Sequence, residues 1–175
     1  SWSSQETHLI MEVTETALVV GGGSIGRRHT QNLRQLGLEV AVVDQAAKVR
    51  TELAAELGVK TFAGLSDGLD SENPDMVVIC TPSSSHIKPA VEAAQAGCHL
   101  LIEKPLSDGM DGVDELIAAV SAQDVISLVG CNLRFHPGIK KLRGLLYGDV
   151  IGPIVAARIE VGSYLPGWFP DKDYR

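Results

Sequence analysis

Short apolar runs alternate with longer amphipathic stretches along most of this chain. The runs lack the apolar–polar alternation of a strand with one exposed face, so each is typical of a strand buried on both faces. Parallel strands need a crossover between them, and the amphipathic stretches supply helices for it. This order predicts an α/β fold with a doubly wound Rossmann parallel sheet.

The individual elements follow from the same periodicity and from the turn residues between the runs. Strands are predicted over 16–21, 38–44, 59–62, 74–82, 98–104 and 125–130. Helices are predicted over 24–37, 46–58, 86–97, 110–123 and 137–148. A polar connection that contains Asp67, Asp70 and Glu72 is predicted between the third strand and the fourth.

Three regions are expected along the 175 residues. Residues 1–12 are expected to be a disordered leader or expression remnant, and residues 13–150 the Rossmann domain. Residues 151–175 are expected to be the start of a truncated second domain, with only its first strand, over 153–164. A lone apolar strand is an unsatisfied edge, so we expect it either to pair between two copies of the chain or to be disordered.

The net charge of −7 argues against nucleic acid and anionic membrane surfaces as partners. No apolar run reaches the roughly 18 residues of a membrane-spanning helix, and the first ten residues lack the pattern of a secretory signal. Cys80, Cys98 and Cys131 form no C-x-x-C pair, which indicates reduced thiols and neither disulfides nor metal ligands. We therefore expect a cytoplasmic protein.

Three glycines between the first strand and the first helix have the spacing G-x-G-x-x-G. Gly21 allows a tight turn, Gly23 lets the backbone approach a pyrophosphate, and Gly26 lets the helix pack closely on the strand. The helix start, with Ser24 and Ile25, presents free amide groups and the positive end of its dipole. The loop therefore predicts a dinucleotide site.

Asp44 ends the second strand, 18 residues after the last of these glycines. A carboxylate there can bind the adenosine ribose hydroxyls and would repel a 2′-phosphate, which favours NAD over NADP. Lys48 and Arg50 nearby could weaken that preference. Arg27 and Arg28 could assist the phosphates, although a solvated helix face is the more ordinary role for such side chains.

Ligands of doubly wound sheets bind beyond the carboxyl ends of the strands. The loop after the fourth strand carries Thr81, Pro82, Ser83 and His86, which are predicted to form a wall of the cofactor site while the serines there cap the next helix. After the fifth strand come Glu103, Lys104 and Pro105. On its own this end could be a charged strand terminus exposed to water.

The pieces "VVGGGSIGRRHTQNL", "PDMVVICTPSSSHIKPAVEAAQAGCHLLIEKPL" and "VGCNLRFHPGIKKL" resemble the glucose–fructose oxidoreductase, inositol dehydrogenase and rhizopine-catabolism family, Gfo/Idh/MocA. The resemblance implies NAD(P)-dependent hydride transfer on sugars, cyclitols or related polyols. It also implies that Lys104 lies by the nicotinamide and the reacting carbon, with Glu103 close to the cofactor. A lysine there can polarise the developing carbonyl or transfer a proton, and Pro105 would fix its backbone through a cis bond.

In the same family the segment after the sixth strand approaches the cleft, which implies cofactor contacts for Asn132 and Arg134. Arg134 could instead hold two domains together. His136, directly before Pro137, is expected to start a helix and not to act as a base.

Family members carry a second domain that supplies much of the substrate pocket, and this chain contains only its beginning. We therefore expect the chain to be inactive by itself. The alternative is a stand-alone NAD-binding or regulatory module, or a degraded gene product. Another class of Rossmann enzyme is disfavoured, because the chain has no Tyr-x-x-x-Lys motif of short-chain dehydrogenases.

Overall fold

The computed structural model describes residues 16–162 and Tyr164. The strands are β1 Thr16–Val20, β2 Glu39–Val43, β3 Lys60–Phe62, β4 Met76–Ile79, β5 His99–Ile102 and β6 Ser127–Val129. The helices are α1 Ser24–Gln35, α2 Ala47–Leu57, α3 Leu65–Glu72, α4 Ile87–Gln95, α5 Val113–Gln123 and α6 Pro137–Tyr147. Short 3-10 turns lie at Ser83–Ser85 and Asn132–Phe135.

The six strands form one parallel sheet in the order β3-β2-β1-β4-β5-β6. The order reverses between β1 and β4, which is the topological switch point where such sheets bind ligands. The register places Val20 opposite Val43 and Ile79, and Ile79 opposite Ile102. The loops after these four strands therefore start at one edge. This topology confirms the predicted doubly wound Rossmann fold.

Core residues lie on both faces of the sheet. In β1, Leu18 and Val20 pack on one face, whereas Ala17 and Val19 pack on the other. The first face is covered by α3, α4 and α5, and the second by α1 and α2. Burial on both faces explains why the central strands are apolar at consecutive positions and not only at alternate ones.

The polar connection predicted after the third strand is wrong, because the chain there forms α3. Leu65 and Leu69 pack against the core, and Gly68 brings the helix backbone close to the sheet. A Cβ atom on Gly68 would lie 3.0 Å from Val43 Cγ2 and 3.1 Å from Leu18 Cδ2. This helix buries only a narrow stripe of apolar side chains, and its other residues are largely acidic or polar. The helical period of apolar residues is therefore weak in the sequence.

The strand predicted over 153–164 is also wrong for the described residues, since 153–162 form no strand. Strands are stable only when paired, and the side chains here are almost fully exposed, for example Val155 at 96%. Association of two copies through this segment stays a prediction.

The described chain divides into two compact units, one ending at Cys131 and the other beginning at Asn132. The domain boundary predicted between 150 and 151 falls inside the second unit. The leader predicted over 1–12 lies outside the described residues. Within 16–162, no helix is long and apolar enough to cross a membrane.

Candidate functional site

The three motif glycines have different reasons to be glycine. Gly21 has a φ of +98°, and a Cβ atom there would lie 2.8 Å from the Cys80 carbonyl group. A Cβ atom on Gly26 would lie 1.8 Å from the Gly21 carbonyl oxygen. The fold itself requires glycine at these two positions. At Gly23 the φ of −65° is ordinary and a Cβ atom would meet nothing within 4 Å. Its open outer side is where the backbone could admit a pyrophosphate.

The start of α1 points unpaired amide groups at this loop. The first intrahelical bond of α1 runs from Arg27 N–H to the Gly23 carbonyl oxygen at 2.9 Å. The amides of Ser24, Ile25 and Gly26 precede it and have no partner in the helix. The first turn contains no acidic side chain. Amides and helix dipole therefore favour an anion at this end.

Asp44 lies beside the glycine loop and is fixed by two backbone amides. Its Oδ2 accepts a hydrogen bond from Gly22 N–H at 2.8 Å, and its Oδ1 accepts one from Ala46 N–H at 2.8 Å. The carboxylate still has lone pairs for ribose hydroxyls. Arg50 donates to the Asp44 and Gln45 carbonyl oxygens at 2.7 and 2.9 Å, so this cation is held on backbone carbonyls.

A cleft of about 970 Å³ joins the glycine loop, Asp44 and the loop after β4. It is lined by Val20, Gly21, Gly23, Ser24, Ile25, Val43, Asp44, Gln45, Ala63, Gly64, Leu65, Cys80, Thr81, Pro82, Ser84, Ser85, Lys88, Pro89 and Glu92. Five predicted cofactor contacts of the first compact unit are absent from this lining: Gly26, Ser83, His86, Glu103 and Lys104. Because Ser83 begins a 3-10 turn, Ser84 and Ser85 are the serines that face the cleft.

His86 is buried, with 1% of its surface exposed, and its ring bridges two loops. Nε2 lies 2.7 Å from the Thr81 carbonyl oxygen, in the loop after β4. Nδ1 lies 3.0 Å from the Pro105 carbonyl oxygen, in the loop after β5. His86 therefore joins the loop after β4 to the loop after β5, and it does not face the cleft.

Glu103 and Lys104 follow β5 directly. Glu103 continues the β5 ladder, since its N–H donates to the Ile79 carbonyl oxygen at 2.9 Å. The Glu103 carboxylate lies 2.9 Å from His29 Nε2 in α1, and it accepts a bond from the Lys104 amide at 3.1 Å. The Lys104–Pro105 bond is cis, as expected. The Lys104 side chain is exposed, and none of the ion pairs within residues 16–162 includes it.

The Cys80 thiol, at the end of β4, is chemically quiet. Burial, together with the smaller effect of the nearby Glu103 charge, raises the pKa of this thiol to about 12. The reactive form of cysteine is the thiolate. Cys80 therefore lines the cleft and is not a nucleophile.

Among the described residues, no group of three or more His, Cys, Asp or Glu could hold a metal ion.

Asn132 and Arg134 belong to the second compact unit, in an exposed turn before α6. Their contact with the cofactor stays a prediction. His136 caps α6, since its Nδ1 accepts a bond from Gly138 N–H at 3.1 Å. This confirms its expected role as a helix-start residue.

Arg27 bonds to Glu52 at 2.8 Å and to Glu56, both in α2, which supports the helix-face interpretation over a phosphate contact.

Two residues at this sheet edge were not predicted from the sequence. His29 stands in the quoted piece "GRRH", and its pairing with Glu103, 74 positions away, is visible only in the fold. Lys88 lines the cleft because of the rotation of α4 about its own axis, and the sequence does not give that rotation.

Comparison with known proteins identifies the chain's relatives. Residues 16–131 match the model of the oxidoreductase family with an NAD-binding Rossmann fold, GFO_IDH_MocA. The chain is 37% identical over 130 residues to UDP-N-acetylglucosamine 3-dehydrogenase of Acidithiobacillus ferrooxidans, covering 74% of this chain and 41% of that protein. It is 31% identical over 159 residues to myo-inositol 2-dehydrogenase of Thermotoga maritima, covering 89% of this chain and 47% of that protein.

Among solved structures, the WlbA dehydrogenase of Bordetella pertussis, determined with NADH and UDP-GlcNAcA, superposes with a TM-score of 0.75 at 27% identity. The match covers 79% of this chain and 43% of that one. The chain thus spans less than half the length of the relatives it matches. It belongs to the Gfo/Idh/MocA oxidoreductase family, of which it contains the NAD-binding Rossmann fold.

Proposed function

We propose that this chain supplies the NAD-binding half of a dehydrogenase that moves a hydride between NAD and the CH–OH group of a sugar, cyclitol or related polyol. The observation that carries the proposal is that the glycine loop and Asp44 line one cleft at the carboxyl edge of the sheet, and that Lys104 follows β5 at the same edge. The names of two relatives, a UDP-N-acetylglucosamine 3-dehydrogenase and a myo-inositol 2-dehydrogenase, support this substrate class.

Each cofactor-binding residue has a physical role in this proposal. The Gly23 backbone and the free amides of α1 bind the pyrophosphate, since they offer donors without a side chain in the way. Asp44 binds the adenosine ribose and disfavours a 2′-phosphate. Thr81 and Pro82 form the opposite wall of the cleft. When bound, NAD supplies the nicotinamide carbon that accepts or donates the hydride.

Lys104 is the proposed catalytic residue. Its ammonium group is exposed at the end of β5 and is not consumed by an ion pair within residues 16–162. Positioned near a substrate hydroxyl, Nζ can donate a hydrogen bond to the oxygen as it becomes a carbonyl, or exchange a proton with it. Glu103, bonded to His29, sets the direction of the strand end from which Lys104 projects.

The proposed partners are a dinucleotide and a small polyol or sugar, in a cytoplasmic protein. All three cysteines of the described residues are free thiols, as a reducing compartment would keep them. Substrate turnover is proposed to need the region that the relatives carry beyond the match, because hydride chemistry needs a site closed to water. A stand-alone NAD-binding module is the second candidate function, since the residues that line the cleft all lie within the matched range 16–131.

Titration of the purified chain with NADH, and separately with NADPH, followed by nicotinamide fluorescence, tests the proposal. We expect saturable binding with NADH preferred, and no reduction of NAD when myo-inositol or UDP-N-acetylglucosamine is added. Failure of both dinucleotides to bind a chain shown to be folded by circular dichroism would refute the cofactor site. Turnover by this chain alone would refute the need for a further region.

A further inference from the structure

The turn that carries Lys104 is held on both sides by histidines. On one side the Glu103 carboxylate lies 2.9 Å from His29 Nε2 in α1. On the other side the Pro105 carbonyl oxygen lies 3.0 Å from His86 Nδ1, at the start of α4. We propose that His86 is a positioning residue. As a doubly protonated imidazolium, it holds the turn at Lys104 against the loop after β4. The proposal rests on the proposed function only in that Lys104 is taken as the catalytic residue.

The partners of His86 require donors from both ring nitrogens. Thr81 and Pro105 each offer a carbonyl oxygen, at 2.7 Å and 3.0 Å, and a carbonyl oxygen only accepts hydrogen bonds. A neutral imidazole has one N–H, so one ring nitrogen would direct its lone pair at a carbonyl lone pair. The ring is 1% exposed and so has no access to bulk water. An imidazolium ion satisfies both contacts.

Energetics favour this arrangement. A bare ring nitrogen opposite a carbonyl oxygen leaves two buried acceptors without a donor, which destabilises the folded chain. Bonds donated by a charged group are shorter and roughly twice as strong as neutral ones, and the 2.7 Å contact from Nε2 has the length of such a bond. Two charge-assisted bonds oppose the desolvation of the ring. They also join two loops that no β-ladder joins at this point.

Two other histidines have the opposite pattern and provide internal references. His99 Nδ1 accepts a bond from Ile126 N–H at 3.1 Å, and His136 Nδ1 accepts one from Gly138 N–H at 3.1 Å. An accepting nitrogen carries no proton, so each of these rings has at least one bare nitrogen. The same spectrum can therefore compare His86 with two rings whose Nδ1 accepts a hydrogen bond.

The first test is a long-range ¹H–¹⁵N spectrum of the chain with ¹⁵N-histidine at pH 7.5, without cofactor. His99→Gln and His136→Gln assign the reference rings, and His86→Gln assigns the ring in question. We expect both His86 nitrogens in the protonated range, and one nitrogen of His99 and of His136 in the unprotonated range. A bare nitrogen on His86 would overturn the proposal. This outcome is independent of NAD binding, so failure of the cofactor site would be seen separately.

The second test measures the position of Lys104. Reductive ¹³C-methylation labels the lysines, and Lys104→Arg assigns the Lys104 resonance. We expect His86→Gln to shift or broaden that resonance, whereas His99→Gln leaves it unchanged. An unmoved Lys104 resonance in folded His86→Gln would overturn the positioning role. Should His86→Gln fail to fold, His8→Gln and His29→Gln assign the two remaining rings, so that the His86 signals are assigned by elimination and the ring spectrum still decides the proposal.

Discussion

Replacing Gly26 with alanine should destabilise the fold, because the new methyl group has no space. Its Cβ atom would lie 1.8 Å from the Gly21 carbonyl oxygen, whereas real Cβ contacts are essentially never under 3.0 Å. The two segments would have to separate by about 1.2 Å, and the obstacle is backbone, which cannot rotate away. Overpacking of this kind costs about 1–3 kcal/mol. The better helix propensity of alanine returns up to about 1 kcal/mol.

We therefore expect Gly26→Ala to lower the free energy of unfolding by about 2 kcal/mol. With a urea dependence of about 2 kcal/mol per molar, the unfolding midpoint falls by about 1 M. Urea titration followed by far-ultraviolet circular dichroism measures this shift. A midpoint within 0.2 M (about 0.4 kcal/mol) of the unmodified chain would refute the close approach of α1 to the glycine loop.

Gly23→Ala is the matched control, because a Cβ atom at Gly23 meets nothing within 4 Å. The unfolding midpoint should change little, since the loss of a glycine N-cap costs only a few tenths to about 1 kcal/mol. NADH affinity should fall about tenfold or more, or about 1.4 kcal/mol, because the methyl group occupies the side from which the pyrophosphate approaches. Unchanged NADH affinity would contradict that approach.

Three further predictions concern the ribose site, α3 and the buried thiol. Asp44→Asn keeps an oxygen acceptor for Gly22 N–H but removes the negative charge. The ratio of the NADPH to the NADH dissociation constant should therefore fall about tenfold. An unchanged ratio in fluorescence titrations would show that Asp44 does not set the preference for NADH over NADPH. Leu69→Ala should lower the free energy of unfolding by about 1–2 kcal/mol, because Leu69 packs against the core. Asp70→Ala should lower it by less than about 0.5 kcal/mol. Equal effects of the two variants in urea titration would contradict the packing of α3 against the sheet. At pH 9 Cys80 in the folded chain should react about 500-fold more slowly with a thiol reagent than in urea, because its pKa is raised to about 12 from 9.0. Fast reaction of a folded chain with Cys98 and Cys131 replaced by alanine would contradict its burial.

The α/β order could be predicted because the central strands β1, β2, β4 and β5 are buried on both faces and most helices are long enough to show their period. The helix α3 could not, since its eight residues bury only a narrow stripe around Leu65 and Leu69 among acidic side chains. The segment 153–164 has the composition of a strand, but pairing and not composition makes a strand.

The candidate site divides in the same way. Gly21, Gly26 and Asp44 could be predicted because their spacing encodes a local turn and the strand end that follows. The roles of His29 and His86 could not, because their partners lie 74 and 19 positions away and meet them only through the sheet order. Ser83 was predicted in place of Ser84 and Ser85, since sequence does not give the phase of a 3-10 turn.

The most direct test of the NAD site is a ¹H–¹⁵N correlation spectrum of the chain during titration with NADH. We expect the amide signals of Gly23, Ser24, Ile25 and Thr81 to shift together and saturate at one equivalent, while those of β6 stay unchanged. Saturable shifts that avoid the glycine loop, or no shifts from a folded chain, would contradict the assignment of this sheet edge as the NAD site.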